Sequence, residues 1–202
     1  MVNIVTLKLL GLLAKNLRKH FKDEAKVWAK IVIDKFKEKS VVITQCHLTL
    51  KDFEYSITPD DIMDDLKEIA DPKNKKITVV TNTFTWLMDY LKKNPDKVVL
   101  IGSKLIGILV KQTENGDTSI RNSSFEILGL LKALSKNRWA KEMGEIDSKK
   151  LKKVDEFAEK VLKEQKAGEN ATASAKENLV KKDTAKATNI SQQSPQTKKI
   201  LD

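Results

Sequence analysis

Apolar residues recur along most of the chain at the spacing of a helix. In the first segment they fall every three or four positions, at Ile4, Leu7, Leu10, Ala14, Leu17 and Phe21. The same period returns in each later segment up to about residue 163, and short polar stretches separate the segments. Because this spacing puts apolar side chains on one helix face, the pattern predicts a series of packed amphipathic helices. The first is predicted over about residues 3–20 and the last over about 148–163.

Start signals mark several of these helices. The segment 58–61, TPDD, combines a capping residue, a proline at the first helical position and acids placed against the helix dipole. Asp117 is predicted to cap the helix that follows it, because its carboxylate accepts from the free amides of the first turn. Arg121 then projects from that turn, to pair with a carboxylate of the neighbouring repeat, to meet a partner, or to do both.

One segment fits two kinds of structure. The β-branched residues at 41–44 are compatible with a strand, whereas the helical spacing that continues through Ile57 favours a third helix. On that helix we expect Cys46 to pack as a small hydrophobe.

Polar loops that contain cations divide the helices into pairs. Three of them, within 35–50, 71–91 and 113–134, follow one helical pattern and precede another, and they recur about every 36 to 45 residues. That period is expected of arrays of helical hairpins. The sequence therefore predicts an all-α solenoid of antiparallel helix pairs joined by short loops.

The composition agrees with an all-α fold, and the net charge gives a further indication of the partner. Charged residues make up 33% of the chain and aromatic residues 5%, and four prolines and seven glycines leave little material for the turns of an all-β fold. The net charge of +10 points to a polyanionic partner, whether nucleic acid, an anionic membrane or an acidic protein surface. The single cysteine excludes an internal disulfide framework and indicates a reducing intracellular compartment.

The stretch 164–202 differs from the rest of the chain, because it has almost no large apolar residue and is rich in lysine, serine and threonine. Such a stretch does not offset its ordering entropy by burial, so we expect a disordered basic tail after a helical domain over 1–163. Within it, Ser194-Pro195 fits a site for a proline-directed kinase.

The chain shows no recognisable machinery for catalysis. It has no Gly-rich phosphate loop, no pair of cysteines or histidines at metal spacing and no nucleophile elbow. Its two histidines, His20 and His47, fall on separate predicted helices. The acids at 60, 61, 64 and 65 are explained by the dipole of the helix they begin, and the three tryptophans by packing. We expect a protein that is not an enzyme and uses no cofactor or metal.

The candidate site is one edge of the array. In a solenoid of helix pairs, the loops inside the pairs all emerge on the same edge. Their cations are predicted to form a row that meets an extended acidic surface, and these are Lys37, Lys39, Lys73, Lys75, Lys76 and Arg121. The plain alternative is that they are solvated loop residues.

Several segments resemble a known family, the TOG domains of the microtubule polymerases related to Mini spindles and the human colonic and hepatic tumour overexpressed protein. LLGLLAKNLRKHF and KFKEKSVVITQ resemble a helix and a lysine-rich loop of that family, and DPKNKK resembles the loop of its fifth repeat. NGDTSIRNSSFEILG resembles its sixth repeat, and IDSKKLKKVDEF resembles its closing segment. The resemblance covers most of residues 7–163 and begins inside the family's third repeat.

The resemblance implies a paddle of HEAT repeats that binds the tubulin heterodimer along its intra-repeat loops. It implies that Lys37 and Lys39 are contacts of the fourth loop, that Lys73 and Lys75 belong to the fifth, and that Arg121 belongs to the sixth. It also implies a place on cytoplasmic microtubules, at the spindle or centrosome. In a partial domain of this kind, we expect the first helix to expose apolar surface and to promote self-association.

Other interpretations stay open from the sequence. A HEAT-repeat scaffold could bind a peptide or helix of another protein in its concave face instead of tubulin along its edge. Nucleic-acid binding has only the net charge in its favour, because arginines are few. At the amino end, a mitochondrial presequence is the minority interpretation against a packed helix, and no apolar stretch is long enough to span a bilayer.

Overall fold

The computed structural model describes residues 3–136 and 138–164. Within these residues there are nine α-helices, which are α1 (Ile4–Leu17), α2 (Lys22–Asp34), α3 (Ser40–Phe53), α4 (Met63–Ala70), α5 (Ile77–Lys93), α6 (Val98–Gln112), α7 (Thr118–Ser135), α8 (Ala140–Met143) and α9 (148–164). Short 3-10 helices stand at Arg18–Phe21, Lys35–Lys37, Pro59–Ile62 and Pro95–Lys97. The predicted tail beyond residue 164, with Ser194-Pro195, lies outside the described residues.

The helices pack in two layers. Helices α1, α3, α5 and α7 follow one another in one layer, while α2, α4, α6 and α8 form the other. Within each pair, α2 with α3, α4 with α5 and α6 with α7, the two helices contact each other across the layers. This arrangement confirms the all-α solenoid of helix pairs that the sequence predicts, and the segment 41–44 is helical rather than a strand.

An offset of 42 residues recurs in three buried hydrogen bonds between neighbouring repeats. The Thr49 hydroxyl donates to the carbonyl of Leu7 at 3.0 Å, and the Ser56 hydroxyl donates to the carbonyl seven residues further along α1, also at 3.0 Å. Because both bonds have the same offset, α3 runs parallel to α1. In the other layer the Gln112 amide donates to the carbonyl of Ala70 at 2.7 Å, again 42 residues earlier. These buried bonds fix the register, since a buried polar group without a partner costs about 1–3 kcal/mol.

The core lies between the two layers and runs the length of the array. Phe36, Phe53 and Phe84 are among its largest buried side chains. Trp86 and Trp139 are buried, and Trp28 packs against the same cluster at partial exposure. The prediction that the tryptophans serve packing is confirmed.

Two glycines allow elements to approach closely. A Cβ at Gly129 of α7 would lie 2.9 Å from backbone atoms of Val154 and Ala158 in α9, so a larger residue there would push the two helices apart. A Cβ at Gly102 of α6 would lie 2.3 Å from the buried ring of Trp139. Gly129 therefore seats α9 against α7, and Gly102 seats Trp139 over α6.

The helix boundaries differ from the prediction at several places. The TPDD signal opens the 3-10 helix Pro59–Ile62, and α4 itself begins only at Met63. Helix α1 ends at Leu17 instead of His20, because Arg18 takes a positive φ of 50° and residues 18–21 continue as a 3-10 helix. Helix α3 ends at Phe53, whose carbonyl accepts from the amides of residues 56 and 57 in the following turn. The short α8 was not predicted, since four residues are too few to display a helical period.

One packed unit extends to Val161, and a second begins at Leu162, of which residues 162–164 are described as the end of α9. Among the helices of the described residues, none has the length and apolar character needed to cross a membrane.

Candidate functional site

The loops inside the helix pairs lie side by side. They span residues 35–39 between α2 and α3, 71–76 between α4 and α5, and 113–117 between α6 and α7. Asp34 joins the first two loops, because its carboxylate accepts from Lys37 Nζ at 2.5 Å and from Lys76 Nζ at 3.0 Å. We call this row of three loops the loop edge.

A groove of about 560 Å³ lies between the second and third loops. One wall comes from the α4–α5 loop and the start of α5, with Lys75 among its residues. The other wall comes from the end of α6 and the α6–α7 loop, with Lys111 and Asp117. All three loops are therefore contiguous, joined by an ion pair on one side and by a shared groove on the other.

Short polar side chains shape the α4–α5 loop. Asp71 Oδ1 accepts from the amide of Lys73 at 2.7 Å, and Asn74 Oδ1 accepts from the amide of Lys76 at 3.0 Å. A bond from Asx to the backbone two residues on is the Asx turn that these residue types favour. The turns fix the backbone from which the exposed side chains of Lys73 and Lys75 extend.

The α6–α7 loop is held by its cap. Asp117 Oδ1 accepts from the amides of Ser119 at 2.8 Å and Ile120 at 3.2 Å, which confirms the predicted helix start. The amide of Asp117 in turn donates to Asn115 Oδ1 at 2.9 Å.

Arg121 folds back onto this same loop. One guanidinium nitrogen donates to the carbonyls of Asn115 at 2.6 Å and Gly116 at 2.9 Å, and the other donates to the Thr118 hydroxyl at 2.9 Å. The prediction that Arg121 pairs with a carboxylate of the neighbouring repeat is therefore wrong. Its planar fork of donors suits the carbonyls and the hydroxyl of this tight loop.

Three of the six predicted cations, Lys37, Lys76 and Arg121, are thus engaged within the molecule. The other three, Lys39, Lys73 and Lys75, have exposed side chains. In the part of the chain that the structure describes, these three side chains have no hydrogen-bond or ion-pair partner. The loop edge therefore presents two lysines that share one carboxylate, one arginine bound to its own loop, and three ammonium groups without an internal partner among the described residues.

The carboxylate of Asp34 is stabilised in its charged form by the two lysines that share it. The hydrogen bond from Lys37 lowers the pKa of Asp34 below its ordinary 3.8, and Lys76 lowers it further, against the opposing effect of partial burial. The same bond raises the pKa of Lys37. Both groups stay charged at neutral pH, and their charges largely cancel towards an approaching partner.

Sequence reasoning missed two residues of the loop edge. From the sequence, Asp34 is only a residue near the end of a helix. Its contact with Lys76, 42 positions further along the chain, depends on how the repeats pack. Lys111 lies in the last turn of α6, is exposed and lines the groove of the loop edge. A cation in the last turn of a helix before a polar loop is the signal that identifies Lys111, because such a side chain reaches past the helix end.

A second charged surface lies on α2, the 3-10 helix Pro59–Ile62 and α4. Lys22 lies 2.6 Å from Asp61 and Lys26 lies 3.9 Å from it, and Lys30 is 2.9 Å from both Asp65 and Glu68. We call these six residues the paired face. It accounts for part of the acidic cluster at 60–65, whose position at a helix start also suits the helix dipole, and Asp60 forms a further pair with Lys104.

The residues that often carry chemistry serve packing here. Burial raises the pKa of the Cys46 thiol to about 11, so it is no thiolate at neutral pH. The His47 ring hydrogen-bonds Asn82 at 3.0 Å and lies against Phe36. Across the described residues, no group of three or more His, Cys, Asp or Glu is arranged to hold a metal ion.

Comparison with known proteins gives one relative and one solved structure. No protein-family model matches the chain. The chain is 26% identical over 161 residues to Protein MOR1 of Oryza sativa subsp. japonica, an alignment that covers 77% of this chain and 8% of the rice protein. It is also similar to a chain in a solved structure described as "Structural Basis of Microtubule Plus End Tracking by XMAP215, CLIP-170 and EB1". The TM-score is 0.67 and the sequence identity is 27%. That match covers 79% of this chain and 68% of the other.

Proposed function

We propose that this chain, which is a TOG domain of the microtubule polymerase family, is a microtubule-binding module that contacts tubulin through the loop edge. The observation that carries the proposal is the set of three exposed lysines that have no internal partner among the described residues, Lys39, Lys73 and Lys75. A cation that is free in the unbound molecule breaks no existing pair when it meets an acidic surface. Binding through these residues therefore costs little inside the domain.

The remaining loop-edge residues have supporting roles. Asp34, with Lys37 and Lys76, holds the first two loops in a fixed relation. Arg121 and Asp117 fix the third loop. Prearranged loops lose less conformational entropy on binding than mobile ones, so the same three lysines bind more tightly from this scaffold.

We extend the proposal to the rest of the chain. Residues 1–163 form the binding domain, and the lysine-rich stretch 164–202 adds salt-sensitive attraction to the acidic microtubule lattice. The proposed location is the cytoplasmic microtubule cytoskeleton, including the spindle or centrosome. The function is binding, and no reaction is assigned to it.

The test is sedimentation velocity of the full chain with unpolymerised tubulin at low and moderate salt. The variant Lys39→Glu, Lys73→Glu should bind at least about tenfold more weakly, because two attractions become two repulsions. The matched control is Lys149→Glu, Lys152→Glu, which reverses two exposed lysines of α9 and changes the net charge equally.

Equal losses in the two variants would mean that net charge alone attracts tubulin, and would refute the loop edge as the site. Wild-type binding by the edge variant would refute it as well. Binding that weakens only in the edge variant supports the proposal.

A further inference from the structure

A second groove, of about 830 Å³, lies on the layer of odd-numbered helices. One wall is a face of α1 with Lys8, Leu12 and Lys15, and the other is a face of α3 and the turn after it with Leu48, Lys51 and Tyr55. The end of α5 closes the groove. We call it the α1–α3 groove. It shares no lining residue with the groove of the loop edge.

The floor of the α1–α3 groove is apolar and accessible. Leu12, Leu48 and Tyr55 keep 56%, 51% and 49% of their surface exposed, which is unusual for large apolar side chains that sit together in a concavity. The two walls are parallel helices, so the apolar residues form a short trough rather than an isolated spot. A helix laid along such a trough buries anchors at i, i+3 or i+4, and i+7.

The rim of this groove is positively charged. Lys8, Lys15 and Lys51 are exposed, and their side chains have no ion-pair or hydrogen-bond partner among the described residues. Lys93 also lines the groove and lies 3.7 Å from Glu54. Asp52 is the other acid of the lining, and its side chain lies against Gly11. The exposed unpaired charges on the rim are therefore cations, while the half-buried Asp52 is an acid of the lining that has no ion-pair partner among the described residues.

We propose that the α1–α3 groove docks an acidic amphipathic helix of a partner protein. Apolar anchors of that helix cover the floor, and its carboxylates meet the three unpaired lysines. The chain's own stretch 165–202 is lysine-rich, and a second copy carries a net charge of +10, so charge disfavours both as occupants. A bilayer is disfavoured because a flat surface does not reach the floor between two helices.

This inference does not rest on the proposed binding of tubulin. The α1–α3 groove and the loop edge use different residues, so variants can remove each activity separately. The Lys39→Glu, Lys73→Glu variant should bind the acidic helix as the wild type does, and the groove variants below should bind tubulin as the wild type does.

The test is fluorescence anisotropy of a labelled synthetic peptide titrated with the full chain. The probe has about 18 residues, or five helical turns, with leucines at i, i+4 and i+7 and glutamates beside them. A permuted peptide of the same composition, in which the leucines are dispersed around the helix, controls for charge alone. Anionic vesicles of phosphatidylserine and phosphatidylcholine form a separate arm.

Two pairs of variants locate the binding. Lys15→Glu, Lys51→Glu should weaken peptide binding about tenfold or more, while Lys149→Glu, Lys152→Glu, with the same change of net charge, should weaken it about twofold or less. Leu48→Asn should weaken it about fivefold. Val27→Asn, at an exposed apolar position of α2 outside the groove, should leave it unchanged.

Tighter binding of the amphipathic peptide than of the permuted one, lost in the groove variants only, supports the proposal. Absence of binding, equal binding of both peptides, or equal effects of groove and control variants overturns it. Vesicle binding that depends on Lys15 and Lys51, without peptide binding, also overturns it in favour of a membrane.

Discussion

The loop edge and the paired face are built from the same residue type and differ in what stands opposite each lysine. On the paired face, Lys22, Lys26 and Lys30 of α2 meet acids of the next repeat at distances of 2.6 to 3.9 Å. On the loop edge, Lys39 and Lys73 meet no acid in the described residues. The first surface is neutralised by the fold, while the second keeps charge that a partner can use.

The difference shows that the number of lysines on a surface does not indicate a binding site. Hydrogen bonds to Glu68 and to Asp65 raise the pKa of Lys30, as its pairing with both requires. Exposed pairs of this kind contribute little to stability, but each removes a cation from the outward field. A site is therefore recognised by unpaired lysines on a fixed scaffold.

The strongest test of this comparison reverses three lysines on each surface. Lys39→Glu, Lys73→Glu, Lys75→Glu and Lys22→Glu, Lys26→Glu, Lys30→Glu lower the net charge of +10 by the same amount. The loop-edge variant should lose tubulin affinity on the order of a hundredfold and keep its thermal unfolding midpoint. The paired-face variant should keep most of its affinity and unfold at a lower temperature, because glutamates would then oppose Asp61 and Glu68.

Sedimentation measures the tubulin affinity of both variants, and circular dichroism measures their unfolding midpoints. If the two variants lost tubulin binding equally, pairing would not be what separates the two surfaces.

Self-association of the chain would change the binding measured in these experiments, and α1 has an exposed apolar face. Val5 and Leu9, one helical turn apart, are 72% and 55% exposed. We propose that this apolar face promotes self-association. Val5→Ser, Leu9→Ser should weaken association about tenfold, measured as the concentration dependence of the sedimentation coefficient. Val27→Ser on α2 is the control, and an unchanged dependence in the α1 variant would exclude this face.

Asp34 offers a way to convert paired lysines into free ones. Asp34→Asn removes the carboxylate shared by Lys37 and Lys76 and leaves both cations on the loop edge. Tubulin binding should tighten about two- to threefold, with a steeper salt dependence. Asp71→Asn, which also removes one negative charge from the loop edge, is the control. Weaker binding by Asp34→Asn would show that the joint between the loops matters more than the charge it cancels.

The smallest expected effect concerns acid. Burial by itself raises the pKa of Asp61, but hydrogen bonds from Lys22 and from the amide and hydroxyl of Thr58 outweigh it and lower that pKa below the ordinary 3.8. A lowered carboxyl pKa contributes stability that is complete above about pH 4 and is lost as the pH falls through the folded value. The unfolding midpoint of Asp61→Asn should therefore fall less steeply than that of the wild type below about pH 4.

The control for the unfolding midpoint below about pH 4 is Asp64→Asn. The Asp64 side chain is fully exposed, and its ion pair with Lys67 is long at 4.0 Å. Equal slopes for the wild type and Asp61→Asn would mean that the carboxylate of Asp61 contributes no stability that depends on pH.

Much of the fold follows from local patterns. The helical period gives the existence and order of the long helices. The cap at Asp117 gives the start of α7, and the cap at Thr58 gives the start of the 3-10 helix that precedes α4. These features depend on residues three or four positions apart, which the sequence displays directly. The sequence does not display the break at Arg18 or the short α8, because a single left-handed residue or one turn of helix leaves no helical period.

The candidate site divides in the same way. The sequence by itself determined that cations concentrate in three loops and that these loops recur with the period of a helix pair. Only the tertiary structure decided that Lys37 and Lys76 share Asp34, that Arg121 braces its own loop, and that Lys39, Lys73 and Lys75 stay free among the described residues. The physical reason is that pairing depends on which side chains face each other across about 40 residues of chain, and that is set by the packing of the layers.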